Sequence, residues 1–204
     1  MHSQYKTFIH HKMNPFELLI IQPNIIPPNH IQHLLQLTNQ QSSHASVGSG
    51  EEKIELQTRN TEWYPIPYPV LQNLNNAVMS CYTSFIEPKY HSKVKNIEPT
   101  QFLGYPVGGH YIEHNDSENF ENGEWRRIAN RDISILFYLN DNYTGGELEF
   151  TSLGLKIKPK TGMMIAFPSY KEFAHKVHPV TSGFRYSLVT WLETEQKIYD
   201  TLRR

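Results

Sequence analysis

Apolar residues recur at helical spacing in two early segments of the chain, Pro27–Gln40 and Pro65–Tyr90. The apolar positions of the first segment are Ile31, Leu34, Leu35 and Leu37. Those of the second segment are Val70, Leu71, Leu74, Val78 and Tyr82. Prolines at or near the beginning of both segments are typical of helix starts. The pattern therefore predicts two helices in the N-terminal part of the chain.

From about residue 97 the pattern changes to short alternating runs divided by glycine and proline, which is typical of strands. The candidate strands are 101–106, 109–114, 131–139, 146–150, 155–158, 162–167, 174–178 and 184–192. Two earlier strands are expected at 16–22 and near 53–58, and the polar stretches 41–52 and 115–125 are expected to be mobile loops. Strands at this spacing predict a sandwich or jelly roll.

The expected fold is thus α+β but mainly β, in a single domain. Residues 1–96 would support a jelly-roll core at 97–193, with a short tail at 194–204. A chain of 204 residues is long enough for one sizeable core. The pattern does not predict the oligomeric state.

Composition narrows the possible partners and the compartment. The chain has 19 Lys and Arg against 20 Asp and Glu, a formal charge of −1, which does not indicate a nucleic-acid or membrane partner. Its apolar runs are too short to span a bilayer, and its first residues lack the order of a secretory signal. The single cysteine, Cys81, excludes an intrachain disulfide and is interpreted as a buried thiol on an apolar helix face. These features favour a cytoplasmic protein.

The first candidate for chemistry is His114-Asn115-Asp116. Residues two apart on an extended strand point to one face, so an imidazole and a carboxylate would project together. A third ligand could come from His175 or His178. Two histidines and one carboxylate form the facial triad of Fe(II) oxygenases, which leaves three positions open on the metal. Zinc competes for such ligands, but the lack of a cysteine ligand and of a His-Glu-x-x-His motif disfavours a zinc hydrolase.

The second candidate is an anion anchor ten residues after His175. Arg185, Ser187, Val189 and Trp191 would share one face of a strand by their period of two. An arginine and a hydroxyl that project together into a barrel can bind a carboxylate in bidentate fashion. Together with the triad, this pattern favours an enzyme that binds a 2-oxo acid.

At these residues the chain resembles the 2-oxoglutarate/Fe(II) dioxygenase superfamily, and specifically its prolyl 4-hydroxylase-like branch. The resemblance covers roughly residues 97–193 and depends on the order and spacing of six short segments. These segments are YPVGGHYIEHND (105–116), RDISILFYLN (131–140), GGEL (145–148), FPS (167–169), HKVHPV (175–180) and GFRYS (183–187). The resemblance implies a double-stranded β-helix core, another name for the jelly roll.

The resemblance also implies roles for individual residues. Fe(II) would be bound by His114, Asp116 and His175, with His178 at a variable position. The co-substrate 2-oxoglutarate would be bound by Arg185, Tyr138, Tyr105 and Ser187. A peptide substrate would approach Arg131 and Trp191. Because Arg131 and Tyr138 have opposite parity, a regular strand would not point both side chains inward. A bend at the strand start is therefore required. Gly145 and Gly146 would form a hairpin turn.

The implied reaction is hydroxylation of a prolyl residue in a peptide or protein. O2 would be consumed, 2-oxoglutarate would become succinate and CO2, and ascorbate would serve as a reductant. One alternative is a sister oxygenase that acts on a free amino acid, another side chain, a nucleobase or a small metabolite. Another is a jelly roll that binds a metal or a sugar without catalysis.

Overall fold

The computed structural model describes residues 14–46 and 54–195. Its α-helices are α1 (Pro15–Leu18), α2 (Pro28–Leu35), α3 (Tyr68–Cys81) and α4 (Glu87–Tyr90). A 3-10 turn, Gln36–Asn39, continues α2, and a π-helical segment, Tyr82–Ile86, joins α3 to α4. Both helices that the apolar spacing predicts are therefore present. No helix in the described residues has the length and apolarity needed to cross a bilayer.

Short strands make up the rest of the fold. They are β1 (Ile20–Gln22), β2 (Ser43–His44), β3 (Arg59–Asn60), β4 (Glu62–Tyr64), β5 (Val94–Ile97), β6 (Gln101–Tyr105), β7 (His110–His114), β8 (Glu118–Glu121), β9 (Glu124–Arg127), β10 (Ile133–Tyr138), β11 (Thr144–Gly145), β12 (Leu148–Phe150), β13 (Leu155–Ile157), β14 (Met164–Pro168), β15 (His175–Val177), β16 (Val180–Ser182) and β17 (Arg185–Thr194). Each of the eight strands predicted after residue 97 corresponds to one of these.

The strands form two main antiparallel sheets. The larger sheet has eight strands in the order β1-β14-β10-β17-β6-β4-β2, with β5 also paired to β17. The smaller sheet has five strands in the order β13-β12-β15-β7-β3. The central strands β10 and β17 of the large sheet are therefore hydrogen-bonded on both sides, which makes them a firm support for side chains.

Successive side chains of β10 and β17 point to opposite faces of the large sheet, so their apolar residues belong to two separate clusters. Ile133, Ile135 and Phe137 of β10 pack with Leu188 and Leu192 of β17 against the N-terminal helices. The other face of β10 and β17 belongs to a second cluster that also contains residues of β12 and β15, so this cluster lies between the two sheets. The residues of the candidate site lie on this inner face.

Two expectations for the N-terminal part are wrong. The predicted strand 16–22 is a helical turn, α1, followed by the shorter strand β1, because the Asn14 side chain caps the turn by accepting a hydrogen bond from the N–H of Phe16. The predicted strand near 53–58 is a turn at residues 56–58, and the strand β3 begins only at Arg59. Residue 53 of that prediction lies outside the described residues.

The two predicted mobile loops also require correction. Segment 115–125 contains β8 and the start of β9, which form a hairpin through Asn122 and Gly123, both at positive φ. A carboxylate oxygen of the buried Glu118 accepts a hydrogen bond from the N–H of Lys171 and attaches this hairpin to the core. In segment 41–52, residues 43–44 form β2, and 47–52 lie outside the described residues.

Candidate metal centre and co-substrate pocket

The structure brings His114, Asp116 and His175 together at one end of the small sheet. His114 ends β7, His175 begins β15, and the two are direct partners across the antiparallel ladder. Asp116 follows β7 by two residues. One ligand atom from each of the three side chains lies within 4.8 Å of the others. The Nε2 atoms of His114 and His175 are 3.7 Å and 3.9 Å from the Asp116 carboxylate oxygens.

Backbone carbonyls orient both imidazoles of this group. The Nδ1 atom of His114 is 2.8 Å from the carbonyl of Ile112, and that of His175 is 2.9 Å from the carbonyl of Phe173. These contacts assign the proton to Nδ1 and leave the Nε2 lone pair free for a metal. Burial also lowers the pKa of His114, so its imidazole is neutral at physiological pH.

Two serines support Asp116, namely Ser134 on β10 and Ser169 directly after β14. The hydroxyl of Ser134 donates a hydrogen bond of 2.6 Å to the carboxylate, and it lies 2.8 Å from the hydroxyl of Ser169. Burial opposes ionisation of Asp116, but the two imidazoles and Ser134 outweigh it and keep the pKa of the carboxyl below its usual range. The metal group is thus attached to both sheets.

A bulge in β7 places Tyr111 against the same metal group. His175 pairs with His114 and Val177 pairs with Tyr111, so between these pairs one residue of β15, Lys176, faces two residues of β7, Ile112 and Glu113. The ring of Tyr111 consequently stacks on the imidazole of His114, with centroids 3.6 Å apart and planes 18° apart. This stacking limits rotation of the His114 ring.

Arg185 carries a fully buried charge on the inner face of β17. Its guanidinium carbon is 4.4 Å from the ring centroid of Tyr105 and 5.1 Å from that of Tyr138. One nitrogen, Nη1, reaches the Ser187 hydroxyl at 3.5 Å. The Nε and Nη2 atoms, like the hydroxyl of Tyr138, have no hydrogen-bond partner among the described residues. The structure therefore groups the four residues predicted to bind a co-substrate, in register on β6, β17 and β10.

These residues fit the groups that the sequence implies. Two imidazoles and one carboxylate suit Fe(II), with room for further ligands. Unpaired guanidinium and hydroxyl donors in the interior are costly unless an anion accepts their hydrogen bonds. A carboxylate is such an anion, and its planar oxygen pair matches the fork of an arginine.

A cavity of about 890 Å³ extends from the metal group and is lined in part by Tyr105, Ser187 and Trp191. Arg131 lies in its wall, with its guanidinium carbon 3.7 Å from the Trp191 ring centroid. The bend that its parity requires is present at Asp132, between Arg131 and the start of β10 at Ile133. Arg131 also forms two hydrogen bonds with the Glu98 carboxylate, of 2.6 Å and 2.7 Å.

The structure separates His178 from the site and adds residues that the sequence reasoning missed. The Nε2 atom of His178 lies 2.5 Å from the Glu149 carboxylate, outside the metal group. The missed residues are Glu98, Tyr111 and Ser134. Ser134 could have been found, because it has the same parity on β10 as Tyr138.

The fold and the arrangement of the candidate site are those expected of a 2-oxoglutarate/Fe(II) oxygenase domain. Residues 100–193 match the model of the 2OG-Fe(II) oxygenase superfamily, so the chain carries a domain of that superfamily, whose metal is Fe(II) and whose co-substrates are 2-oxoglutarate and O2. Two relatives add detail. A protein of Acanthamoeba polyphaga mimivirus with the provisional name of prolyl 4-hydroxylase is 25% identical over 87% of this chain and 75% of its own length. Human prolyl 3-hydroxylase 2 is 43% identical, over 36% of this chain and only 11% of its own length.

Solved structures confirm the jelly-roll fold. A prolyl hydroxylase from Trichoplax adhaerens, in complex with a peptide fragment of the hypoxia inducible factor oxygen degradation domain, aligns with a TM-score of 0.71 and 19% identity, over 91% of this chain and 87% of its own. A viral collagen prolyl hydroxylase of Paramecium Bursaria Chlorella virus-1, in complex with 2-oxoglutarate, aligns with a TM-score of 0.62 and 23% identity, over 86% and 95% of the two chains.

Proposed function

We propose that this protein hydroxylates a prolyl residue in a peptide or protein, using Fe(II), 2-oxoglutarate and O2. The observation that carries the proposal is the stack of Arg131 on Trp191 in the wall of the cavity that leads to the metal group. The prolyl hydroxylases among the relatives and structural neighbours support the same substrate class.

Each residue of the metal group has a distinct task. The Nε2 atoms of His114 and His175 and the carboxylate of Asp116 would hold Fe(II), and the Ser134 hydroxyl fixes the carboxylate orientation. When bound, Fe(II) supplies the activation of O2, by which one oxygen atom oxidises 2-oxoglutarate to succinate and CO2 and the other enters a C–H bond of the substrate.

The co-substrate end of the pocket has a separate task. Arg185 would bind the far carboxylate of 2-oxoglutarate, with Tyr138, Tyr105 and Ser187 around it. The aromatic rings exclude water from this end, which strengthens the pairing of the two charges. The metal group would hold one end of 2-oxoglutarate and Arg185 the other, which leaves the rest of the cavity free for the substrate.

Features of the cavity wall support a peptide as the substrate. The Nε1 atom of Trp191 is buried and has no hydrogen-bond partner among the described residues, so it can donate to a peptide carbonyl. Glu98 neutralises Arg131, and the near-neutral chain offers no phosphate-binding face. Proline suits such a site because its fixed φ lowers the cost of binding an extended chain.

The test compares proline-containing peptides with matched alanine peptides under limiting enzyme. We expect the proline peptides to stimulate succinate formation and to gain about 16 Da, the mass of the one oxygen atom that this class of oxygenase inserts. Trp191→Ala should reduce peptide hydroxylation more than the decay of 2-oxoglutarate without peptide, because its role is on the substrate side. Trp125→Ala is the matched control, since Trp125 is exposed on the β8–β9 hairpin.

Two results would contradict the prolyl assignment. One is equal oxygen incorporation into proline and alanine peptides. The other is no incorporation into any proline peptide while a free amino acid or nucleoside is hydroxylated. Either result would leave the oxygenase class intact and favour one of the sister activities.

A further inference from the structure

Tyr143 is a third buried tyrosine next to the guanidinium of Arg185. It lies in the connection between β10 and β11, is only 4% exposed, and its hydroxyl has no hydrogen-bond partner among the described residues. Tyr105 and Tyr138, in contrast, lie on the strands β6 and β10 that flank β17. Tyr143 therefore approaches Arg185 from a different element.

Close backbone packing holds Tyr143 in this place. A Cβ atom on Gly183 would lie 2.8 Å from the Asn142 carbonyl oxygen and 3.1 Å from the Tyr143 Cα atom. A Cβ atom on Gly146 would lie 3.0 Å from both the Arg185 Cδ atom and the Tyr143 ring. Both glycines have positive φ. Glycine at these two positions is what allows the Tyr143 segment and Arg185 to come together.

A polar side chain attaches the same connection to the start of β17. The Asn140 amide donates a hydrogen bond of 2.6 Å to the carbonyl of Phe184, and its oxygen accepts one of 2.7 Å from the N–H of Tyr186. Phe184 and Tyr186 are the two neighbours of Arg185 in the chain. The β10–β11 connection, which carries Tyr143, and Arg185 therefore keep a fixed relative position before any ligand binds.

The unpaired donors around Arg185 match the capacity of one carboxylate. Among the described residues, four buried polar atoms here form no hydrogen bond of normal geometry, namely Nε and Nη2 of Arg185 and the hydroxyls of Tyr138 and Tyr143. A carboxylate offers about four lone-pair sites on its two oxygens. Burial raises the pKa of the Tyr143 hydroxyl even though the nearby Arg185 charge opposes this, so the group stays protonated and can donate.

We propose that Tyr143 donates a hydrogen bond to the far carboxylate of 2-oxoglutarate, together with Tyr138 and Arg185. This inference deepens the proposed function and rests on it only for the identity of the co-substrate. The predicted hairpin turn at Gly145 and Gly146 is wrong, because Gly145 lies in β11, which pairs with β16, while β12 pairs with β13 and β15. Gly146 instead provides space for the Tyr143 ring within the co-substrate pocket.

The experiment measures ligand binding by calorimetry, without O2 or peptide, on the protein loaded with Mn(II). The variants are Tyr143→Phe, which keeps the ring, and Tyr82→Phe, which removes a buried hydroxyl near Ser92, away from the pocket. The ligands are 2-oxoglutarate and 2-oxopentanoate, which lacks the far carboxylate. We expect Tyr143→Phe to weaken 2-oxoglutarate binding roughly tenfold or more, as for a lost hydrogen bond to a charged group.

The expected pattern also has three unchanged affinities. Tyr143→Phe should bind 2-oxopentanoate as the wild type does, and Tyr82→Phe should bind both ligands normally. Unchanged 2-oxoglutarate binding in Tyr143→Phe would overturn the proposal. An equal loss for both ligands, or an equal loss in Tyr82→Phe, would overturn it as well. Failure of the prolyl assignment would leave these affinities as expected, because no peptide is present.

Discussion

At the scale of single residues, Arg185 is unusual because aromatic rings and hydroxyls, rather than an acidic side chain, surround its buried charge. Such a charge is costly in the absence of an anion. The co-substrate carboxylate that we assign to it would therefore complete a site that is only half formed by the protein.

We expect Arg185→Ala to weaken the apparent affinity for 2-oxoglutarate by about 2–4 kcal/mol, or roughly 30- to 1000-fold, because a charge-assisted pair is lost in a buried site. Arg185→Lys should have a smaller effect, since it keeps the charge but loses the planar fork. The measurement is the rate of succinate formation against 2-oxoglutarate concentration. Arg126→Ala, at an exposed position, is the control. An unchanged affinity in Arg185→Ala would place the anchor elsewhere.

The metal group leads to a second prediction for single residues. His114→Ala, Asp116→Ala and His175→Ala should each abolish turnover and weaken Fe(II) binding, because each removes one of three ligands. His178→Ala should bind metal normally, since its imidazole lies beside Glu149. Metal content after dialysis and succinate formation are the measurements. Loss of metal in His178→Ala with retention in His175→Ala would reverse the assignment.

Strand parity made much of the site predictable. The alternation of β17 correctly placed Arg185 and Trp191 on one face, and that of β10 placed Tyr138 inward. Tyr111 could not be found in this way. Its parity is opposite to that of His114, and only the bulge in β7 brings the two rings together. A bulge depends on pairing with a distant strand, which one segment of sequence does not reveal.

At the scale of elements, Asp132 joins four parts of the fold next to the substrate wall. Its carboxylate accepts hydrogen bonds from Arg127 at 2.9 Å, from the Tyr170 hydroxyl at 2.6 Å and from the N–H of Thr194 at 2.9 Å. These partners come from β9, from the segment after β14 and from the end of β17. Asp132 itself directly follows Arg131, so this network also fixes the start of β10.

Asp132→Asn should lower the free energy of unfolding by about 2–4 kcal/mol at neutral pH, because a fully buried carboxylate loses its charge while its donors stay in place. Burial opposes ionisation, but Arg127, Thr194 and Tyr170 keep the pKa of Asp132 below its ordinary value of 3.8. The carboxylate therefore contributes its full stabilisation above about pH 3.8 and loses it as the pH falls through the lower folded value.

Denaturant unfolding at a series of pH values measures this effect. The difference between wild type and Asp132→Asn should be constant near neutral pH and should narrow only in strong acid. Asp141→Asn is the matched control, because Asp141 lies at the surface and its exposed pairing contributes little. A difference that instead grows as the pH falls would contradict the assigned direction of the pKa shift.

Elements that depend on local signals were predicted unevenly. The β8–β9 hairpin was expected to be a loop because its sequence is polar, yet it contains Asn122-Gly123, the preferred pair for a tight hairpin turn. The turn α1 was expected to be a strand because of the apolar run that follows it, although Asn14-Pro15 is a helix-start signal. In both cases the short signal was informative and composition was misleading.

At the scale of the whole molecule, the change from helical to strand periodicity near residue 97 correctly separated the supporting helices from most of the sheet strands. The alternation could not show which strands are neighbours, because His114 and His175 meet across a ladder between segments sixty residues apart. The need for a third metal ligand suggested His175 or His178, and only the matched family pattern chose between them in advance. Pairing between distant strands is the part of this fold that periodicity leaves open.

The central position of β17 also fixes the spacing of the side chains along it. Arg185 lies at its first residue, whereas Trp191, six residues later, pairs with Ser134, which supports Asp116 of the metal group. A strand bonded on both sides cannot stretch or slide, so the span from the guanidinium to the metal group is constant. A fixed span of this kind would select a dicarboxylic co-substrate by its length. We therefore expect a 2-oxo diacid one carbon shorter or longer than 2-oxoglutarate to bind more weakly, because it would not reach both ends of the pocket at once.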